Sequence, residues 1–174
     1  MSCTTIVALW PGEKTDHVLE LRNSWGSAPV VWDSFYKLYM QPVPYDNYLL
    51  PDPMRRLYQL WKRPDIPEAA RAVLLLCADR LYVSKLHYRR MADDIETFLK
   101  TSAWTGVNHW PAIAQFLRDD PDYPAIGLWC TSVSDDPFEG EWNEEKQASP
   151  FDWSTAFEVY SELESLKAES GATL

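Results

Sequence analysis

Glycine is scarce in this 174-residue chain, six in all, and none of the six falls in a GxGxxG, GxxxxGK[ST] or GxSxG pattern. Loops that cradle phosphates, and elbows that expose a nucleophilic serine, both depend on closely spaced glycines. Nucleotide chemistry is therefore disfavoured, and Thr131, Ser132 and Ser134 lack the glycine elbow that a catalytic serine needs. Cysteine is scarcer still. Cys3, Cys77 and Cys130 are odd in number and widely spaced with no CxxC, which supports neither a disulfide framework nor a zinc ribbon and fits a reducing compartment. His17, His87 and His109 stand apart from one another, and none has a further ligand at metal-binding spacing. Asp93, Asp94 and Glu96 offer carboxylates, but adjacent helix positions diverge by about 100°, so the two aspartates do not converge. No catalytic residue, metal or cofactor is expected from these motifs.

Long hydrophobic runs are also missing. The longest, Ala72 to Ala78, is seven residues, well short of the roughly 20 that a membrane-spanning helix needs. The first twelve residues carry no basic stretch and reach Pro11 early, unlike a secretion signal. A cytoplasmic location without membrane attachment is expected. Asn23-Ser24-Trp25-Gly26 resembles the segment around the orienting asparagine of papain-like cysteine proteases. That family places a nucleophilic cysteine far upstream with a histidine between, whereas only Cys3 and His17 precede this segment, so the likeness implies no protease.

What the chain has in abundance is aromatic and acidic side chains. Nine Trp and nine Tyr, within a 46% apolar composition, mark an ordered globule. They exceed what a small core hides, and half-exposed Trp and Tyr suit an interface. The length matches a single domain spanning residues 1–174. Thr4–Leu9 and His17–Arg22, separated by Pro11-Gly12, predict an N-terminal hairpin. A helix is expected after a Ser27 cap with Pro29 in its first turn, its apolar face formed by Val31, Phe35 and Leu38. Gln41 to Pro53 carries four prolines and predicts an extended loop. Met54, Leu57, Tyr58 and Trp61 then follow helical spacing.

A third helix from Pro67 is apolar on almost every side between Ala72 and Ala78, which predicts a central helix. A break near Val83, with Ser84 as a cap, leads to a fourth helix carrying Met91, Ile95, Phe98 and Leu99. Asn108 caps a fifth, carrying Trp110, Ile113 and Leu117. Ile126 to Ser132 predicts a third strand. Residues 134–150 read as a surface loop, and Ser154 as the cap of a last helix whose buried side is Ala156, Phe157, Tyr160 and Leu163. The end from Ala168 to Leu174 is expected to fray. The fold class is α+β, predominantly helical, with five to six helices and a small antiparallel sheet.

The acidity is local. Residues 119–174 hold two lysines against fourteen carboxylates, a balance of −12, whereas 52–100 hold ten basic residues against seven acidic. Direct nucleic-acid binding through Arg55, Arg56, Lys62, Arg63, Arg89 and Arg90 is opposed by this field. Within the acidic third, Asp135, Asp136, Glu139, Glu141, Glu144 and Glu145 flank Phe138 and Trp142. Carboxylates interleaved with aromatics suit a basic groove, because a site built to neutralise phosphates accepts other anions of matching spacing. The expected function is an acidic protein-binding module that inhibits a nucleic-acid-handling partner by occupying its basic surface. Phage anti-defence and nuclease immunity proteins are similar in size and charge. The alternatives are an enzyme whose site assembles from the scattered histidines and carboxylates, a scaffold subunit, and an acidic segment simply neutralised by the chain's own arginines.

Overall fold

The computed structural model describes residues 2–12, 14–40 and 51–171. Among them six helices and a mixed five-stranded sheet make an α+β fold in which helix predominates. The N-terminal hairpin forms as the turn residues dictate: β1 (Cys3–Trp10) pairs antiparallel with β2 (Lys14–Arg22), and Gly12 takes the left-handed backbone of the turn at φ 85°. Six consecutive residues of β1, Thr4 to Leu9, are buried. A strand buried on both faces needs neighbours on both edges, and β1 has β2 on one side and β4 (Ala125–Trp129) on the other. β4 is the strand expected at Ile126.

Two strands lie where none was expected. Leu81–Ser84 forms β3, antiparallel to β4, and Phe157–Glu158 forms β5, parallel to β3, so the sheet order is β2-β1-β4-β3-β5. The expected break near Val83 is thus a strand. It begins after a turn whose last residue, Arg80, adopts a left-handed conformation at φ 62°.

One face of the sheet carries the helices. α1 (Ala28–Tyr39), α3 (Glu68–Leu76), α4 (Tyr88–Leu99), α5 (Trp110–Arg118) and α6 (Val159–Gly171) pack around Ile6, Ile126 and Leu128. α3 is buried at every position from Ala70 to Leu76, the central helix that its all-round apolar sequence requires. α2 (Pro51–Gln59) continues through a 3-10 turn at Leu60–Lys62 and buries Leu57 and Leu60. The apolar faces expected for α4 and α5 are buried, and Asn108 Oδ1 accepts from the Trp110 N–H at 3.0 Å.

Other local expectations fail for identifiable reasons. Ser27 makes no cap bond; its hydroxyl turns to Thr4 Oγ1 at 2.6 Å and to the Ser24 carbonyl, tying α1 to β1. Leu38 is half exposed. Ser154 lies in a separate 3-10 turn capped by Asp152, while α6 starts five residues later, with Glu158 Oε2 accepting from Ser161 N–H at 2.8 Å. Phe157, now in β5, is half exposed, and the buried side of α6 is Val159, Tyr160 and Leu163. α6 is helical through Gly171. The loop predicted over 41–53 gives way to α2 from Pro51, and its residues 41–50, like the last three residues of the tail, lie outside the described residues.

The other face of the sheet is covered by the acidic segment itself. Val7, Leu9 and Ala125 point to that side, and Phe138 and Phe151 close over them as a second core, with Tyr82, Trp129, Trp153 and Ala156 around it. Each aromatic removed from water in this way contributes about 1.5–3 kcal/mol. Gly127 lies directly beneath the Phe138 ring, where a Cβ would overlap it. The molecule is therefore three-layered: helices, sheet, and an irregular acidic cover.

Candidate functional site

The acidic cover is a fixed structure, not a loose loop. Its first residues are stitched to β1: Ser132 N–H donates to the Cys3 carbonyl at 2.9 Å, and Cys3 N–H donates to Ser132 Oγ at 3.0 Å. Asp136 follows, its side chain only 8% exposed. One carboxylate oxygen accepts from His17 Nε2 at 2.7 Å and the other from Phe138 N–H at 2.8 Å. Phe138 is fully buried. Gly140 passes so close to the Pro150 carbonyl that no side chain fits there. Between those two points the chain makes a small lobe, closed by the paired backbones of Asn143 and Ala148. Asn143 Oδ1 accepts from Lys146 N–H at 2.9 Å, and Gln147 Nε2 donates to the Glu144 carbonyl at 2.7 Å.

This arrangement sorts the eight candidate residues. Asp135, Glu139, Glu141, Glu144 and Glu145 are exposed, and Trp142 is 60% exposed on the lobe. Phe138 belongs to the second core and is removed from the surface, and Asp136 holds the cover in place. Interleaving in sequence thus does not become interleaving on the surface: of the two aromatics, Trp142 alone faces outward.

Whether the acidic residues are cancelled internally is answered by the ion pairs. Arg90 binds Glu68 at 2.7 Å and faces Glu164 at 3.9 Å, and Lys167 binds Glu68 at 2.5 Å. Arg118 binds Asp93 at 2.8 Å and also Glu96, Arg63 binds Asp65, and Lys85 binds Asp122 at 2.8 Å. Arg63, Lys85, Arg90 and Arg118 thus pair with carboxylates of residues 65–96 and of α6, and with Asp122. No basic residue of 52–118 pairs with Asp135, Glu139, Glu141, Glu144 or Glu145 among the described residues. Lys167 and Arg90 hold the Glu68 carboxyl below its ordinary range, whereas burial pushes Asp94 up although it accepts from Tyr160 O–H at 2.7 Å.

The histidines do gain carboxylate neighbours. His17 and Asp136 line an open polar cleft of about 360 Å³ with Thr15, Asp16, Glu139 and Ser149. His87 Nδ1 lies 2.9 Å from Glu158 Oε1 and 3.3 Å from Ser84 Oγ, its ring against Tyr160. A serine–histidine–acid relay needs the serine and the acid on opposite ring nitrogens. Here both meet Nδ1, so the trio ties β3 to β5. His109 Nε2 bonds the Asn23 carbonyl at 2.8 Å. Among the described residues no group of three or more His, Cys, Asp or Glu is placed to hold a metal ion, and no helix is long and apolar enough to cross a membrane.

Sequence reasoning did not see two adjoining clefts of about 390 and 360 Å³ that share Trp32, Cys130 and Thr131. Tyr58 lines the first, bonded through its hydroxyl to the Cys77 carbonyl at 2.8 Å, and Trp25 stands on the lip of the second. They assemble from α1, α2, the end of α3 and the end of β4, and nothing in their spacing along the chain announces them.

Comparisons with protein-family models, with curated proteins and with solved structures find no match to this chain. The functional reading rests on the geometry above.

Proposed function

We propose that this protein is an acidic protein-binding module whose outer cover docks onto a basic surface of a partner. Where that surface grips nucleic acid, the module inhibits it stoichiometrically by occupying it. The observation that carries this reading is the pairing pattern: Asp135, Glu139, Glu141, Glu144 and Glu145 stand on a pinned layer with no ion pair among the described residues, while Arg63, Lys85, Arg90 and Arg118 pair with other carboxylates. A fixed array of unpaired charge orders little on binding, which keeps the entropic cost of association low. Trp142 supplies an exposed aromatic beside it, the residue type that most often anchors an interface.

The test is charge reversal of Asp135, Glu139, Glu141 and Glu144 to Lys together, leaving Asp136 intact because it is structural. The variant should lose the partner that the wild-type protein captures from its source organism, while its melting temperature stays close to wild type. Undiminished capture would sink the reading.

A further inference from the structure

The sheet has two edges, and they differ. β5 is two residues long and runs straight into α6. β2 is nine residues long, and its outer side receives no hydrogen bond from any described residue. Asn23 N–H donates to the Ser2 carbonyl at 2.8 Å. Antiparallel pairs alternate between bonded and non-bonded, so Arg22 and Glu20, opposite Cys3 and Thr5, turn their backbone groups away from β1 and towards solvent.

An open edge of this length is a template for another chain. The register slips at Ile6/Val7, leaving Val18 as a bulge that interrupts the edge and reverses the side-chain alternation across it. Glu20, opposite Thr5, therefore shares the face of His17, opposite Val7, while Lys14 and Asp16 lie on the other face. Lys14 is already bound to Asp16 at 2.8 Å, and the acidic cleft containing Asp16, His17, Asp136 and Glu139 opens beside the first half of the edge.

We propose that the free edge of β2 takes up an extended, lysine- or arginine-bearing segment of the partner as an added strand, with its basic side chains against Glu20 and Glu139. This rests on the docking role proposed above and says how the partner engages. Backbone pairing supplies register, and the flanking carboxylates select the charge of the incoming strand.

The test uses the wild-type protein and strand-length peptides alternating lysine and threonine. One peptide is unmodified, one is N-methylated on the amides that would face β2, and one has glutamate in place of lysine. The unmodified peptide should bind and slow hydrogen exchange at the Glu20 and Arg22 amides. The methylated peptide should bind about tenfold or more weakly, having lost several hydrogen bonds. The glutamate peptide should not bind. Equal binding of both lysine peptides would overturn strand addition and leave the acidic docking surface standing. Failure of both lysine peptides would overturn the two together. A dimer of the protein alone, protected at the same amides, would identify the occupant as a second copy and also overturn the proposal.

Discussion

Asp136 and Phe138 stand two residues apart in a segment whose composition reads as solvent-exposed, and both are drawn inward by specific partners. Truncating Phe138 to Ala should cost about 3–5 kcal/mol and lower the denaturation midpoint, because the ring fills the second core. Glu139→Lys, one residue on and exposed, should stay within about 0.5 kcal/mol of wild type. A Phe138→Ala protein as stable as wild type in urea would show that the cover is not anchored there. The inward turn was poorly legible because one apolar residue among acids has no period. The available signals lay elsewhere: Val7 and Leu9 alternate with Ile6 and Ala8, so β1 needs covering on both faces, and Gly127 sits inside a strand, the mark of a close approach.

Glu68 and Asp94 give opposite pH signatures at the same scale. Glu68 is depressed by Lys167 and Arg90, so its contribution is present above the ordinary glutamate range and is lost as pH falls through the depressed value. Glu68→Gln should be less stable than wild type at neutral pH by up to about 1 kcal/mol, discounted for exposure, and equal to it in acid. Asp94 is raised by burial, so its ionised form opposes folding at neutral pH. Asp94→Asn should gain there, with the gain fading as pH falls through the range in which Asp94 takes up its proton. Denaturant titrations at several pH values read both slopes, and a pH-independent difference for either variant would contradict the assignment.

At the scale of elements, long periodic segments were legible and short ones were not. α3, α4 and α5 place their apolar residues as helical spacing requires. β3 and β5 are four and two residues long, too short for a two-residue period to register, and they exist because tertiary pairing selects them, β3 against β4 and β5 against β3. Ser27 and Ser154 read as caps from identity alone, yet β1 and Asp152 claim their neighbourhoods instead. Asn108, also read as a cap, stands one residue before the N-cap position of α5, which His109 fills, but its side chain does accept from the Trp110 N–H. Replacing it with Ala removes the bond to Trp110 N–H and should cost about 1 kcal/mol. A thermal melt unchanged within error would mean that α5 is set by the packing of Trp110 and not by its first turn.

For the whole molecule, the charge polarity visible in the sequence survives folding, but its geometry changes. The acidic third splits into α6, whose Glu164 faces Arg90 and whose Lys167 binds Glu68, and a cover over the sheet whose Asp135, Glu139, Glu141, Glu144 and Glu145 make no ion pair among the described residues. The acidic charge of residues 135–145 was legible in the sequence, while the sheet topology was needed to show that this segment lies as a layer over the sheet. It also brought the open edge of β2 beside that layer.

The most direct test is partner affinity measured against salt for the wild-type protein and for the Asp135, Glu139, Glu141 and Glu144 to Lys variant. Screening shortens from about 10 Å at 0.1 M to about 3 Å at 1 M salt. Docking through the acidic cover predicts wild-type affinity that falls steeply over that range, and a variant that binds weakly throughout. Affinity that is flat in salt and equal in the two proteins would contradict it.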